Sequence, residues 1–148
     1  MAYLFEDLCF SGDVGGIRLA GPRHIVLPMP PPEFHIELWM KSWEKLSAAG
    51  AARIAPTHFG IYEDAADHLS LLGETLRDTE AWLAEEVPGK EGEVLERAVI
   101  DWMADRARAH GLTDAQHRKY EQSNASETSA WGIERYWRKY RAGANGSR

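Results

Sequence analysis

The sequence predicts a mixed α/β protein with α+β layering: a short β-hairpin, one or two further strands, and four to five helices. Three observations carry this. Two short apolar runs, Leu8-Cys9-Phe10-Ser11-Gly12-Asp13 and Arg53-Ile54-Ala55-Pro56-Thr57-His58-Phe59-Gly60, each deliver one metal-capable side chain beside a glycine. Ala2–Phe5 and Leu8–Phe10 are separated by only Glu6-Asp7, which is hairpin spacing. Most of the remaining chain repeats its apolar residues every three or four positions, the period of a helix packed on one side.

In chain order, the hairpin comes first. Val14–Arg23 carries three glycines and a proline and reads as loop, and His24–Leu27 as a brief extended piece. Pro28-Met29-Pro30-Pro31-Pro32 is too proline-rich for helix and sets the entry of the next element. Glu33 to Ala48 fits an amphipathic helix with Ile36, Trp39, Met40, Trp43 and Leu46 inward, ended by Gly50. Arg53–Ala55 is a strand. Glu63-Asp64 opens a long helix with Ala65, Leu69, Leu72, Leu76 and Leu83 as its buried stripe, and Pro88-Gly89 breaks it. Glu91 to His110 is a further helix, with Leu95, Ala98, Val99, Trp102 and Met103 inward and Gly111 closing it. Thr113-Asp114 caps a segment running to about Tyr120. Glu121–Ser129 reads as polar and irregular. Ala130 to Arg141 is a last helix anchored by Trp131, Tyr136, Trp137 and Tyr140, followed by a frayed end from Ala142 to Arg148.

The bulk numbers bound the function. At 148 residues, with 44% hydrophobic residues and six tryptophans, one domain with a substantial core is expected. The net charge of −6 is uneven: −1 over residues 1–60, −10 over 61–105 and +5 over 106–148. An acidic middle facing a basic tail within the fold accounts for this, so no nucleic-acid partner is expected. Arg135, Arg138, Lys139 and Arg141 are cations favoured at a helix C-terminus. No apolar run approaches the roughly 20 residues of a membrane helix. The single cysteine, Cys9, excludes an internal disulfide and reads as a small core residue. The N-terminus carries acids where a secretory signal has a basic start. A soluble, cytoplasmic chain is the expectation.

For chemistry, Asp13 reads either as a metal ligand or as a turn-forming aspartate before a glycine pair. His58 reads either as a ligand through one ring nitrogen or as a satisfied core histidine. Asp64 and His68, one helical turn apart, either share an ion or belong with Glu63 and Asp67 to an acid-rich helix start. No G-x-S-x-G, P-loop or G-x-G-x-x-G occurs.

Phe10-Ser11-Gly12-Asp13, then a Gly-rich loop, a proline run, an amphipathic helix, a strand and Thr57-His58-Phe59-Gly60 resembles the C-terminal half of a metallo-β-lactamase (MBL) fold hydrolase. The acidic helix start and the tail Trp131…Arg135-Tyr136-Trp137-Arg138 look like the glyoxalase-II-like branch. The resemblance implies half of an αββα sandwich, a single partial domain over 1–148, with 1–60 as its strand and ligand half and 61–148 as its helical part. It implies a dinuclear centre of zinc or another divalent metal that hydrolyses a small ester, thioester or lactone. Asp13 takes the place of the bridging aspartate and His58 that of the last histidine ligand. The superfamily's H-x-H-x-D-H motif is absent from these residues. Two ligands fall short of the three or four a zinc site needs, so weak metal binding and little or no activity alone are expected. The chain then reads as a truncated domain. The missing half leaves Leu4, Phe5, Leu8, Phe10 and Trp43 as an apolar patch, inviting self-association or the absent N-terminal half. The alternative is a non-enzymatic, mostly helical interaction module; a nucleic-acid-binding basic tail is a third.

Overall fold

The computed structural model describes residues 2–32 and 34–142. The expected helix start at Glu33 and the last residues, 143–148, lie outside them. The architecture is mixed α+β. Strand β1 is Tyr3–Phe5, β2 Leu8–Gly12 and β3 Arg53–Pro56; helix α1 is Ile36–Ala48, α2 Ala65–Glu86, α3 Gly92–Ala109, α4 Asp114–Ser123 and α5 Ser126–Tyr136. A 3-10 turn, Asp13–Gly15, follows β2, and a π-helical turn, Trp137–Arg141, extends α5. Contacts divide the chain into two compact units. One is Met1–Leu27 with Ile36–Thr79; the other is Pro28–His35 with Glu80–Arg148. The division falls inside α2. The first turns of α2 are tied to the sheet side of the chain: Ala65 N–H donates to the Ala52 carbonyl at 3.2 Å.

In the first unit the sheet order is β1-β2-β3. The hairpin pairs Tyr3 with Phe10, Leu4 with Cys9 and Phe5 with Leu8. Its two-residue turn holds Glu6 at φ 54°, a left-handed conformation that tight hairpins impose. Strand β3 joins β2 in parallel, Cys9 opposite Ile54 and Phe10 opposite Ala55. The extended piece expected at His24–Leu27 forms one antiparallel bridge, Val26 to Ile17. Ile17, Ile25, Ile36, Ile54, Ala65, Leu72 and Leu76 are fully buried and form the centre of this core. On α1, Trp43 donates its indole N–H to the Leu69 carbonyl of α2 at 2.7 Å.

In the second unit, Leu83, Val87, Leu95, Val99, Ala107, Ile133 and Tyr136 supply the core. Trp82 stacks on Trp102 at 4.6 Å. The proline-rich segment is a packing element here. Met29 and Phe34 are buried, and Phe34 meets Tyr136 edge-on at 5.2 Å. Helix α5 approaches this segment so closely that a Cβ at Gly132 would lie 1.8 Å from the Met29 carbonyl oxygen. Only glycine fits there. Within this unit one acid of the middle segment meets the basic tail: Arg141 pairs with Glu80 at 2.6 Å; Arg138 pairs within the tail, with Glu134 at 2.7 Å.

Three expectations are corrected. The stretch 121–129 is not irregular: α4 runs to Ser123 and α5 starts at Ser126. Its polar residues work as caps. The Glu121 carboxylate accepts from the Ser126 backbone N–H and hydroxyl at 3.1 and 2.6 Å, satisfying donors that a helix start leaves free. Trp131 and Tyr140 are not anchors, being 56% and 43% exposed. The buried side of α5 is Ser129, Ala130, Gly132, Ile133 and Tyr136, because close approach to the proline segment selects small residues. Finally, the exposed apolar patch loses Leu8, covered on the central strand, and Trp43, held against α2; Leu4, Phe5 and Phe10 remain exposed, and Tyr3 joins them.

Candidate metal centre

Asp13 sits where β2 ends. The register with β3 shifts between Phe10 and Gly12, and Gly12 has φ 63° and ψ −158°, a conformation glycine adopts without strain. That bend lifts Asp13 off the sheet into the 3-10 turn, closed by Gly16 N–H donating to the Asp13 carbonyl at 2.9 Å. Gly12 lies opposite Pro56, so the two parallel strands end side by side. Beyond Pro56, the residue after His58 is Phe59, at φ 68°. A bulky side chain in the left-handed region costs on the order of 1–3 kcal/mol, and such residues concentrate at functional turns.

These two turns bring the sequence-predicted residues together. His58 Nε2 lies 3.9 Å from Asp13 Oδ1, both side chains being partly open to solvent. The separation is too long for a hydrogen bond. Two donors each about 2.1 Å from one tetrahedral ion would stand about 3.4 Å apart, so a shift of about half an ångström lets both reach a shared cation. The fit ends there. Among the described residues no group of three His, Cys, Asp or Glu side chains is placed to hold an ion. The residues present supply two donors of a site that requires more.

Asp64 and His68 have other commitments. Arg18 clasps Asp64 through two parallel hydrogen bonds of 2.8 Å, and this guanidinium holds the carboxyl below the usual aspartate range. The Arg18 guanidinium also lies 5.0 Å over the Tyr62 ring, and the Tyr62 hydroxyl donates to the Arg18 carbonyl. His68 is fully buried, with Nε2 2.7 Å from the Gly15 carbonyl. Only an N–H pairs with a carbonyl, so Nε2 carries the proton and Nδ1 is bare. Burial pushes the imidazole pKa down, and the ring is neutral. These contacts tie the turn carrying Asp13 to the first turns of α2. Arg18 and Tyr62 escaped the sequence reading, since neither lies in a motif and their partners are 44 and 46 residues away. Cys9 is 4% exposed, as a core thiol should be, and burial raises its pKa.

Comparison with known proteins returned no match to a family model, a curated protein or a solved structure.

Proposed function

We propose that this chain contributes half of the metal centre of an MBL-fold, glyoxalase-II-like metallo-hydrolase, with Asp13 and His58 as ligands and the remaining donors supplied from outside these 148 residues. The observation that supports this is the pairing itself. Two residues 45 positions apart in sequence stand at the ends of adjacent parallel strands, 3.9 Å apart, each on a glycine-flanked turn. The cofactor is zinc or another divalent ion, and when bound it supplies an acidified water for attack on a small ester, thioester or lactone. The chain's own part is to hold one carboxyl and one imidazole side chain at a common point. The lone cysteine suits a cytoplasmic setting, and among the described residues no helix is long and apolar enough to cross a membrane.

Equilibrium dialysis against zinc, with and without a polypeptide carrying H-x-H-x-D-H on the preceding half of such a domain, tests the reading. Tight binding and ester hydrolysis by the mixture, both lost in Asp13→Asn and His58→Gln, support it. No zinc uptake by the mixture ends it.

A second reading, a self-association module, is favoured by one feature. Every residue of β1 is exposed, with Tyr3 62% and Phe5 66% accessible on an open sheet edge. Light scattering on wild type and Phe5→Lys decides: a dimer that dissociates in the variant supports it, and a monomer throughout removes it.

A further inference from the structure

The sheet order β1-β2-β3 places no strand beyond β1 among the described residues. Sheet edges are ordinarily blunted by a lysine, a proline or a bulge. Tyr3-Leu4-Phe5 carries none of these, and its pairing with β2 is unbroken. All three side chains are exposed. The hairpin decides which backbone groups face out. Phe5 meets Leu8 across the two-residue turn and Tyr3 meets Phe10, so alternation turns the Leu4 N–H and C=O away from β2.

A strand with an outward donor and an outward acceptor on one residue can pair with itself. A two-fold axis at Leu4 lets two copies exchange both bonds, the N–H of each to the C=O of the other. That register sets Tyr3 opposite the partner's Phe5, an aromatic cross-strand pair formed twice. It also sets Ala2 opposite the partner's Glu6. Ala2, Leu4 and Lys45 line one cleft between the hairpin and α1, so the partner's carboxylate arrives beside an ammonium group. Asp7 is taken by Arg53 at 2.6 Å, whereas neither Glu6 nor Lys45 has an ion-pair partner among the described residues. Each copy carries both charges, and the two-fold makes two such pairs. Other registers lose this. Centring on Glu6 opposes two carboxylates, and centring on Tyr3 or Phe5 presents groups already turned toward β2.

We propose that β1 docks a second copy of this chain, the two strands pairing antiparallel about Leu4 into one six-stranded sheet, with Glu6 of each copy on Lys45 of the other. This arrangement rests on the self-association reading above and adds its register and its specifying charges.

Sedimentation equilibrium of the full chain, with amide exchange by NMR, tests it. Wild type dimerises. Glu6→Lys and Lys45→Glu change exposed residues and leave the fold intact. Each weakens the dimer about ten-fold, since the two-fold doubles the effect of one exposed pair. The two substitutions combined restore the wild-type constant within about two-fold. Exchange of the Leu4 amide slows as protein concentration rises into the dimer range. A dimer that ignores both charge reversals, is not restored by their combination, or leaves the Leu4 amide unprotected overturns this interface while self-association by another surface, such as the open aromatic face, survives. A monomer at every concentration overturns both.

Discussion

His68 should make the fold acid-sensitive through one identifiable nitrogen. Nε2–H is already donated to the Gly15 carbonyl at 2.7 Å, so a second proton must enter at Nδ1. Nδ1 is buried and has no hydrogen-bond partner. The groups around the ring do not rescue it. Burial lowers the pKa most and Arg18 adds to it; together they outweigh the Gly15 hydrogen bond and Asp64, which favour the cation, so the folded pKa lies below the ordinary 6.5. The sign follows from linkage. The unfolded chain takes up the proton near pH 6.5 while the folded chain still refuses it, so the unfolded state binds more protons. The stability contribution is therefore full above about pH 6.5. As pH falls below that it is lost at up to about 1.4 kcal/mol per pH unit, until the folded-state pKa is reached. Urea midpoints measured from about pH 8 to about pH 5 read this directly. His68→Gln is the control, since a glutamine amide can donate to the same carbonyl and does not titrate. Wild type should lose stability below pH 6.5 more steeply than the variant. Parallel curves for the two proteins would refute the reasoning, whatever the other histidines contribute.

The other predictions concern single contacts. Gly132→Ala gains up to about 1 kcal/mol of helix propensity but drives a Cβ to 1.8 Å from the Met29 oxygen. A net loss of about 1–3 kcal/mol is expected in thermal unfolding, and a raised Tm would show that the close approach is not real. Thr113→Ala removes a reciprocal cap, Gln116 N–H to Thr113 Oγ1 and Thr113 N–H to Gln116 Oε1. It should cost about 1 kcal/mol, and an unchanged urea midpoint would contradict it. Trp43→Phe deletes the indole N–H bond to the Leu69 carbonyl and should cost about 1 kcal/mol, measured the same way. Asp64→Asn breaks the bidentate pair with Arg18, but the pair is partly exposed, with side-chain accessibilities of 22% and 43%. A loss beyond about 1 kcal/mol would mean that the clasp matters more than its exposure allows.

Local order in this protein was written plainly in its residues. The stripe from Ala65 through Leu69, Leu72 and Leu76 to Leu83 is buried along its whole length, because a period of three and four already says which side of a helix is apolar. The hairpin was readable from two apolar runs two residues apart, and the ends of α3 and α4 from Gly111 and Thr113. That Asp13 and His58 both stand near strand ends followed from Gly12 just before the one and Gly60 two residues after the other. What failed at this level was anything depending on a distant partner. Trp131 looked like an anchor because aromatic residues are apolar. It is exposed because close packing against Met29 gave the inner side of α5 to Ala130, Gly132 and Ile133. Glu121 and Ser126 looked like loop because polar residues signal caps and coils alike until a hydrogen bond tells them apart.

By itself the amino-acid order determined the hairpin, β3 and most of each helix, and which side chains reach the strand tips, since those depend on backbone preference and periodic apolarity within a few residues. Tertiary structure alone decided that Asp13 and His58 lie 3.9 Å apart, that Asp64 belongs to Arg18 and His68 to Gly15, and that Ser11 is buried with its hydroxyl unpaired. The reason is physical. Pairings across 45 to 53 residues arise from the parallel register of β2 with β3 and from the seating of α2 against the glycine turn, and no short window of sequence contains both sides of such a contact.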